Sequence, residues 1–231
     1  MAAPAYVVTG GTGALGQAVV AALVARGASV AVPYRSASEW EALRAALPQA
    51  SLWAAAADLA DTGAAASFFG GAAKAFGRIH GLATLAGAYA GGETFEKAPE
   101  KEWTAMMSAN LATVYSACRA ALPHLLEHGG SVVTVGARLA VEGGAGSAAY
   151  AVSKAAVVAL TRVLALENEK RGVRFNCVLP GTIDTPANRR AMPKADMSRW
   201  TPPDAIARII AFLLSPESSA VNGGLIPVTG L

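Results

Sequence analysis

Short apolar runs alternate with longer helix-like stretches along the whole chain. The apolar runs have the length of buried strands and lie at Ala5 to Thr9, Ser29 to Tyr34, Ser51 to Ala55, Gly81 to Leu85, Ser131 to Val135, Val173 to Leu179 and Leu225 to Val228. The helical patterns between them cover residues 14–26, 38–47, 62–76, 99–127, 148–171 and 203–214. Because strands that alternate with helices form βαβ crossovers, this order predicts a doubly wound α/β (Rossmann) fold with about seven parallel strands and helices on both faces.

No position along the chain indicates a domain boundary. The sequence contains no Pro/Gly/Ser-rich linker, no low-complexity tract and no internal repeat. A length of 231 residues is short for two domains of ordinary size, so a single domain over residues 1–231 is predicted. Hydrophobic residues make up 53% and charged residues 15% of the chain, which supplies a conventional core and excludes disorder as the main state.

The charge balance and the cysteine content exclude several kinds of partner. Nineteen Lys and Arg against sixteen Asp and Glu leave a net charge of +3, and the charges are scattered, so no nucleic-acid partner is expected. Residues 1–25 carry no charge, but they lack a basic leader and are interrupted by glycines, so neither a signal peptide nor a membrane span is expected. Cys118 and Cys177 lie far apart, which predicts buried thiols in a cytoplasmic protein.

A pair of histidines has the i, i+4 spacing of a metal-binding helix. His124 and His128 have only Glu127 beside them as a further ligand. The Gly129-Gly130 pair that follows is typical of a helix end, where the helix dipole favours a cationic histidine. No metal site is therefore predicted.

A glycine-rich segment follows the first predicted strand and opens the first predicted helix. It runs Thr9-Gly10-Gly11-Thr12-Gly13-Ala14-Leu15-Gly16. Glycines permit a tight turn and a close approach of the backbone to a pyrophosphate, whose charge the helix N-terminus binds. The segment predicts a dinucleotide site formed by Gly10, Thr12, Gly13, Leu15 and Gly16, with an ordinary Gly-rich turn as the alternative.

The end of the second predicted strand indicates which dinucleotide is bound. An acidic residue about 20 residues after the loop would bind the ribose 2′-hydroxyl of NAD, but Tyr34, Arg35 and Ser36 occupy this place and the first carboxylate of the chain is Glu39. Arg35 can instead pair with a 2′-phosphate. NADP(H) is therefore predicted as the preferred coenzyme, with NAD(H) left open and a solvated surface arginine as the alternative.

Tyr150 and Lys154 stand four residues apart at the start of an alanine-rich helix, which puts both on one face. A positive charge near a phenol lowers its pKa from about 10, and the tyrosine then becomes a general acid or base at neutral pH. The pair occurs by chance in about one chain in eight of this composition, so its position relative to other motifs decides its meaning.

Further motifs surround this pair. They are the TGGTGALG loop, Asp58-Leu59 after the third strand, Leu85-Ala86-Gly87 after the fourth, Asn110, and Pro180-Gly181-Thr182-Ile183-Asp184-Thr185. Together with Tyr150-x-x-x-Lys154 they make the chain resemble the short-chain dehydrogenase/reductase family from Tyr6 to its C-terminus.

The resemblance implies roles for these residues. Those implied to line the coenzyme are Asp58 and Leu59 at the adenine, Ala86 and Gly87, Pro180 and Gly181, and Ile183 and Thr185 at the carboxamide. Lys154 is implied to bind the nicotinamide ribose, and Asn110 to hold a water linked to Lys154.

One position departs from the family pattern. The family usually has a serine thirteen residues before the tyrosine, where its hydroxyl holds the substrate oxygen, and this chain has Ala137. Removing a comparable donor costs about 10²- to 10³-fold in rate. Either carbonyl reduction is impaired or the substrate does not need the donor. Ser147, one turn before Tyr150, is a weaker candidate to replace the hydroxyl.

The sequence around the site also resembles the dihydropteridine reductase branch, which likewise has alanine there. The matching segments are 86–92, 136–137, 184–193, 195–196 and 200–202. The resemblance implies a quinonoid pterin, whose conjugated C=N system is reduced without a localised alkoxide, and puts Ala137 and Asn188 at the substrate. Two positions differ from that branch: Tyr34 replaces the acid that selects NADH, and Asn110 is present.

The sequence therefore predicts an NADP(H)-dependent oxidoreductase that transfers hydride to a C=O or conjugated C=N carbon, with Tyr150 as general acid. A quinonoid dihydropteridine reductase-like activity and a non-catalytic NADP-binding sensor are the alternatives. Small and apolar residues lie on more than one face of helices 99–127 and 148–171, which predicts a homodimer or homotetramer.

Overall fold

A seven-stranded parallel sheet forms the centre of residues 3–230, the part of the chain that this computed structural model describes. The strands are β1 (Ala5–Thr9), β2 (Ser29–Tyr34), β3 (Leu52–Ala56), β4 (Gly81–Thr84), β5 (Gly130–Val135), β6 (Val173–Pro180) and β7 (Leu225–Val228). Their order is β3-β2-β1-β4-β5-β6-β7, and all neighbours are parallel. The predicted doubly wound fold is confirmed.

Helices cover both faces of this sheet. They are α1 (Ala14–Val24), α2 (Ala37–Ala46), α3 (Thr62–Phe76), α4 (Glu100–Met106), α5 (Thr113–Leu126), α6 (Leu139–Glu142), α7 (Ala148–Asn168), α8 (Pro186–Ala191) and α9 (Pro203–Leu214). A π-helical turn, Met107–Ala112, joins α4 to α5, and short 3₁₀ turns cover Glu169–Arg171 and Pro216–Ser218.

The helix predicted over residues 99–127 is the largest correction to the predicted elements. The π-helical turn divides it, because one extra residue enters the turn around Asn110. The short helices α6 and α8 were not predicted, since neither is long enough to show a hydrophobic period. Helix α8 does carry a local signal, namely Thr185 as N-cap followed by Pro186 in the first turn.

The strands divide the core into two layers because successive side chains point to opposite faces. Val8 packs with α1 and α9 on one face, in a cluster that includes Leu23 and Ile210. Val7 packs on the other face with α3, α5 and α7, in a cluster that includes Phe69 and Val157. Both faces of the sheet are therefore buried, as a parallel sheet requires.

Residues Ala148–Arg171 form one helix that is long and apolar enough to cross a membrane by length and composition alone. Val157 and Ala165 on this helix are buried in the core. A core helix passes the same test, so this feature is weak evidence for a membrane span.

Candidate active site

The glycine-rich loop leaves β1 and packs against the end of β4. Gly10 has φ +64°, and a Cβ on it would lie 2.7 Å from the backbone nitrogen of Ala86. A Cβ on Gly16 would overlap the carbonyl oxygen of Gly10. Thr9 Oγ1 accepts hydrogen bonds from the backbone nitrogens of Leu85 (3.1 Å) and Ala86 (3.2 Å), which ties the two strand ends together.

Helix α1 starts directly behind this loop and points its N-terminus into the cleft. Its N-cap is Gly13, and no side chain caps it. The first backbone N–H groups of an uncapped helix are free to bind an anion. Because β1 and β4 are neighbours from which the chain winds in opposite directions, the loop lies at the point where a doubly wound sheet binds dinucleotides.

A cavity of about 250 Å³ lies beside the loop. The predicted coenzyme residues that line it are Gly10, Thr12, Gly13, Tyr34, Arg35, Asp58, Leu59, Ala86 and Gly87. Tyr34 also stacks on Trp40, with ring centroids 6.1 Å apart. Ser36 does not line the cavity, because its hydroxyl caps α2 by accepting from the backbone nitrogen of Glu39 at 3.4 Å.

A second cavity of about 850 Å³ follows along the carboxyl ends of the strands. The predicted residues that line it are Leu15, Gly87, Ala137, Tyr150, Lys154, Pro180, Gly181, Ile183 and Asn188. Leu85, Gly87 and Ala88 belong to both cavities. The two cavities therefore adjoin along the segment after β4, and together they form the cleft in which the glycine-rich loop and the N-terminus of α1 fit a dinucleotide.

Lys154 lies at the floor of the larger cavity. Its ammonium donates a hydrogen bond to the carbonyl of Val135 at 2.9 Å, and a Cβ on Gly87 would lie 3.4 Å from its Nζ. Burial lowers the pKa of Lys154 to about 8, with Cys177 acting in the opposite direction. The Lys154 amine is therefore bound to the backbone of β5, and its lowered pKa lies close to neutral pH.

Tyr150 lies on the wall of the same cavity, one turn before Lys154. Burial raises the pKa of Tyr150, and the neighbouring Tyr89 raises it further. The predicted lowering by Lys154 is wrong for this structure, because burial of the phenol outweighs any effect of the ammonium, which is bound to Val135.

Asn110 connects the loop after β4 to helix α7. The buried carboxamide accepts from the backbone nitrogen of Ala88 at 2.9 Å through Oδ1 and donates to Ser153 Oγ at 3.0 Å through Nδ2. Ser153 Oγ in turn donates to the carbonyl of Tyr150 at 2.7 Å. The π-helical turn thus puts Asn110 where it positions both the cavity wall and the helix that carries the tyrosine.

The segment after β6 closes the far side of the larger cavity. Asn188 Nδ2 donates to the carbonyl of Ile183 at 2.8 Å. Thr185 caps α8 by accepting from the backbone nitrogen of Asn188 at 3.1 Å, and it does not line the cavity. Arg189 binds both carboxylate oxygens of Asp184, at 2.6 and 2.7 Å, and this hydrogen bonding lowers the pKa of Asp184.

Sequence reasoning assigned no role to two residues of the cleft. Tyr89 lines the larger cavity and meets Tyr150 edge-on, with ring centroids 4.9 Å apart. Glu39 lines the smaller cavity. Tyr89 lies within the segment 86–92 that resembles the dihydropteridine reductase branch, whereas the local sequence of Glu39 indicates only a residue in the first turn of a helix. Ser147 is buried and its Oγ has no partner among the described residues, but it does not line the larger cavity.

Comparison with known proteins gives consistent matches over almost the whole chain. The family model described as enoyl-(acyl carrier protein) reductase matches residues 11–230. Meso-2,3-butanediol dehydrogenase of Serratia marcescens is 30% identical over 232 residues, which cover 97% of this chain and 92% of that protein. The crystal structure of levodione reductase superimposes with a TM-score of 0.92 at 29% identity and covers 100% of this chain and 98% of its own.

A further solved structure is similar at 28% identity, with a TM-score of 0.89 and coverage of 98% of this chain and 96% of its own. It is a short-chain oxidoreductase of Pseudomonas aeruginosa that is described as containing an atypical catalytic center.

Proposed function

The chain belongs to the short-chain dehydrogenase/reductase family and is an NAD(P)-dependent oxidoreductase, and we propose that it prefers NADP(H) and reduces a C=O or conjugated C=N bond with Tyr150 as the general acid. The observation that carries the proposal is the wall of the larger cavity, where Tyr150 and Lys154 from α7 face the cleft beside Ala137.

The coenzyme would extend along the joined cavities. The glycine-rich loop and the N-terminus of α1 would hold its pyrophosphate, with Arg35 at the adenosine end and Lys154 at the nicotinamide ribose. When bound, the nicotinamide supplies the hydride.

Tyr150 is suited to donate a proton rather than to accept one. Because burial and Tyr89 raise its pKa, the phenol stays protonated at neutral pH and can give its proton to the substrate oxygen or nitrogen as the hydride arrives. Asn110 and Ser153 act as positioning residues, since their hydrogen bonds hold the Tyr150 backbone against the loop after β4. We infer that the resting protein already has the protonation state that reduction requires.

Ala137 favours a second candidate, a quinonoid dihydropteridine reductase-like activity. Ala137 is buried and lines the cavity, so it leaves the site without the usual hydroxyl donor to a substrate oxygen. A conjugated C=N substrate develops no localised alkoxide and loses less from this change than a ketone does. The same residue also motivates the third candidate, a sensor that binds NADP(H) without turnover.

A substrate panel separates the three candidates. Quinonoid pterins, quinones and small ketones are offered with NADPH, and coenzyme binding is titrated in parallel. Turnover confined to pterins supports the second candidate, whereas turnover on ketones supports general carbonyl reduction. Tight NADPH binding with no turnover on any acceptor contradicts the oxidoreductase proposal and favours the sensor.

The preference for NADP(H) rests on Arg35. Its side chain is exposed, lines the smaller cavity and makes no ion pair within residues 3–230. We expect Arg35→Asp to shift the preference toward NADH, because a carboxylate repels a 2′-phosphate and accepts from a 2′-hydroxyl. An unchanged ratio of NADPH to NADH affinity would refute this assignment.

The outer faces of α5 and α7 support a symmetric homodimer or homotetramer. Tyr115, Val152, Val163 and Leu166 are exposed apolar side chains there, and Leu166 is 76% exposed. Closed symmetry is the usual solution for such faces. A mass near 23 kDa by light scattering during size exclusion would contradict this proposal. Both cysteines are free and buried, and we propose a cytoplasmic location on that ground.

A further inference from the structure

The carboxylate of Glu39, in the first turn of α2, makes a hydrogen bond that its local sequence does not predict. It is the third residue of α2, and Ser36-Ala37-Ser38-Glu39 has the sequence of a capping box, in which the glutamate would turn back to the backbone nitrogen of the cap. In the structure Glu39 Oε2 instead accepts from Thr12 Oγ1 at 3.0 Å. The carboxylate therefore crosses to the glycine-rich loop and forms part of the wall of the smaller cavity.

The free oxygen of this carboxylate has no partner in the protein. Glu39 Oε1 makes no hydrogen bond within residues 3–230, whereas Oε2 is held by Thr12. A carboxylate accepts several hydrogen bonds, so Oε1 remains available to a hydroxyl in the cavity. Thr12 thus fixes the acid without using up its capacity as an acceptor.

The charges around the cavity oppose each other. Arg35 brings a positive charge to the end of β2, Glu39 brings a negative charge from α2, and Asp58 lines the same cavity. The strand end has Tyr34 where an acid would bind the ribose hydroxyl of NAD. An acid is nevertheless present in the cavity, and it is supplied by the helix rather than by the strand.

We propose that Glu39 is a second coenzyme-specificity residue that accepts a hydrogen bond from the adenosine ribose of NAD(H) and repels the 2′-phosphate of NADP(H). Arg35 and Glu39 then act in opposite directions, and the protein accepts both coenzymes with only a moderate preference for NADP(H). This inference rests on the proposed function only in that a dinucleotide occupies the smaller cavity.

The test is a direct binding titration of NADPH and NADH, followed by coenzyme fluorescence, on the full chain. Glu39→Gln keeps the shape and removes the charge. We expect its Kd for NADPH to fall about threefold to tenfold and its Kd for NADH to rise about threefold, which are the changes typical of one charge-assisted contact at a solvated site.

Glu41→Gln is the matched control. Glu41 lies on the same helix, pairs with Arg44 at 3.0 Å and does not line the cavity, so the loss of its charge is expected to leave both Kd values within about twofold. Thr12→Val keeps the Glu39 charge but removes the hydroxyl that holds it, and a smaller change in the same direction as in Glu39→Gln is expected.

The outcomes separate the inference from the proposed function. A ratio of the two Kd values that is the same in Glu39→Gln and in the wild type overturns the inference while leaving the oxidoreductase proposal intact. Equal changes in Glu39→Gln and Glu41→Gln overturn it too, since the effect would then be one of net charge. If the wild type binds neither coenzyme, both proposals fail.

Discussion

The two ends of the cleft differ in whether backbone or side chains give them their shape. At the end proposed for the adenosine, the glycines of the loop, the uncapped N-terminus of α1 and the end of β4 pack closely through their backbones. At the end proposed for the nicotinamide, the wall carries the side chains of Tyr150 and Lys154. The buried Asn110 does not line the cavity but is linked to α7 through Ser153.

This difference determines which kind of substitution disrupts each end of the cleft. A wall of closely packed backbone is broken by a single added carbon, because nothing there has room to move. A wall of buried polar side chains is broken by the loss of a single polar atom, because its partners are left without hydrogen bonds or its charge without compensation. Changes at the two ends should therefore affect different measured quantities.

Tyr150→Phe is expected to have the largest effect and to be confined to chemistry. Loss of the hydroxyl removes the general acid, so turnover should fall about 10²- to 10⁴-fold, while the Kd for NADPH stays within about twofold. Steady-state rates and a binding titration on the same preparation measure both. Tyr115→Phe, which changes an exposed tyrosine on α5, is the control and should behave like the wild type. Near-normal turnover of Tyr150→Phe would show that the substrate takes its proton elsewhere.

Gly16→Ala tests the other end of the cleft and should act on binding and stability. The new Cβ overlaps the carbonyl of Gly10, so the loop must shift, at a cost of about 1 to 3 kcal/mol in unfolding free energy and roughly tenfold or more in coenzyme affinity. Gly70→Ala is the matched control, because a Cβ there meets nothing within 4 Å on α3; a gain of about 0.4 to 1 kcal/mol is expected. Urea unfolding and coenzyme titration compare the two, and equal behaviour would contradict the tight packing of the loop.

Ala137→Ser should sharpen the difference between substrates. A hydroxyl at this position supplies the missing donor, and we expect ketone reduction to rise about 10-fold or more while reduction of a conjugated C=N acceptor changes little. Ala137→Cys adds a group of similar size with only a weak donor and serves as the control. If serine raises neither activity, the donor role of this position is refuted.

Lys154→Met is expected to change the stability by an amount that depends on pH. In the folded protein the pKa of Lys154 lies at about 8, below its unfolded value near 10.4, so the buried charge destabilises the wild type at any pH below 8. This penalty disappears as pH rises from about 8 to 10.4, because the folded state then binds fewer protons than the unfolded state.

The variant should therefore be more stable than the wild type by about 1 to 3 kcal/mol at pH 7, after some loss from the hydrogen bond to Val135. At pH 10 the difference should be small. Urea unfolding of both proteins at the two pH values measures it, and a variant that is less stable at pH 7 than at pH 10, relative to the wild type, would contradict the lowered pKa. Coenzyme binding by the same variant is expected to weaken.

The sequence alone was sufficient for the sheet and for the position of the glycine-rich loop. Strands β1, β2 and β7 have the predicted bounds, β4, β5 and β6 differ by one residue at one end, and β3 is shifted by one residue at both ends. The agreement follows because each strand is a short run of mostly apolar residues. The glycines of the loop predict the turn from local sequence, because only glycine permits this backbone conformation and this close approach at no steric cost.

The tertiary structure decided what depends on contacts between distant residues. The π-helical turn that carries Asn110 and the position of Glu39 beside Thr12, 27 residues earlier, have no local signal. The direction of the Tyr150 pKa shift follows from burial and Tyr89 rather than from the i, i+4 spacing to Lys154. Local patterns determine which elements form, because burial of a strand or a helix face is averaged over many residues. The placement of a single polar atom depends on one neighbour, and only the folded chain brings that neighbour within reach.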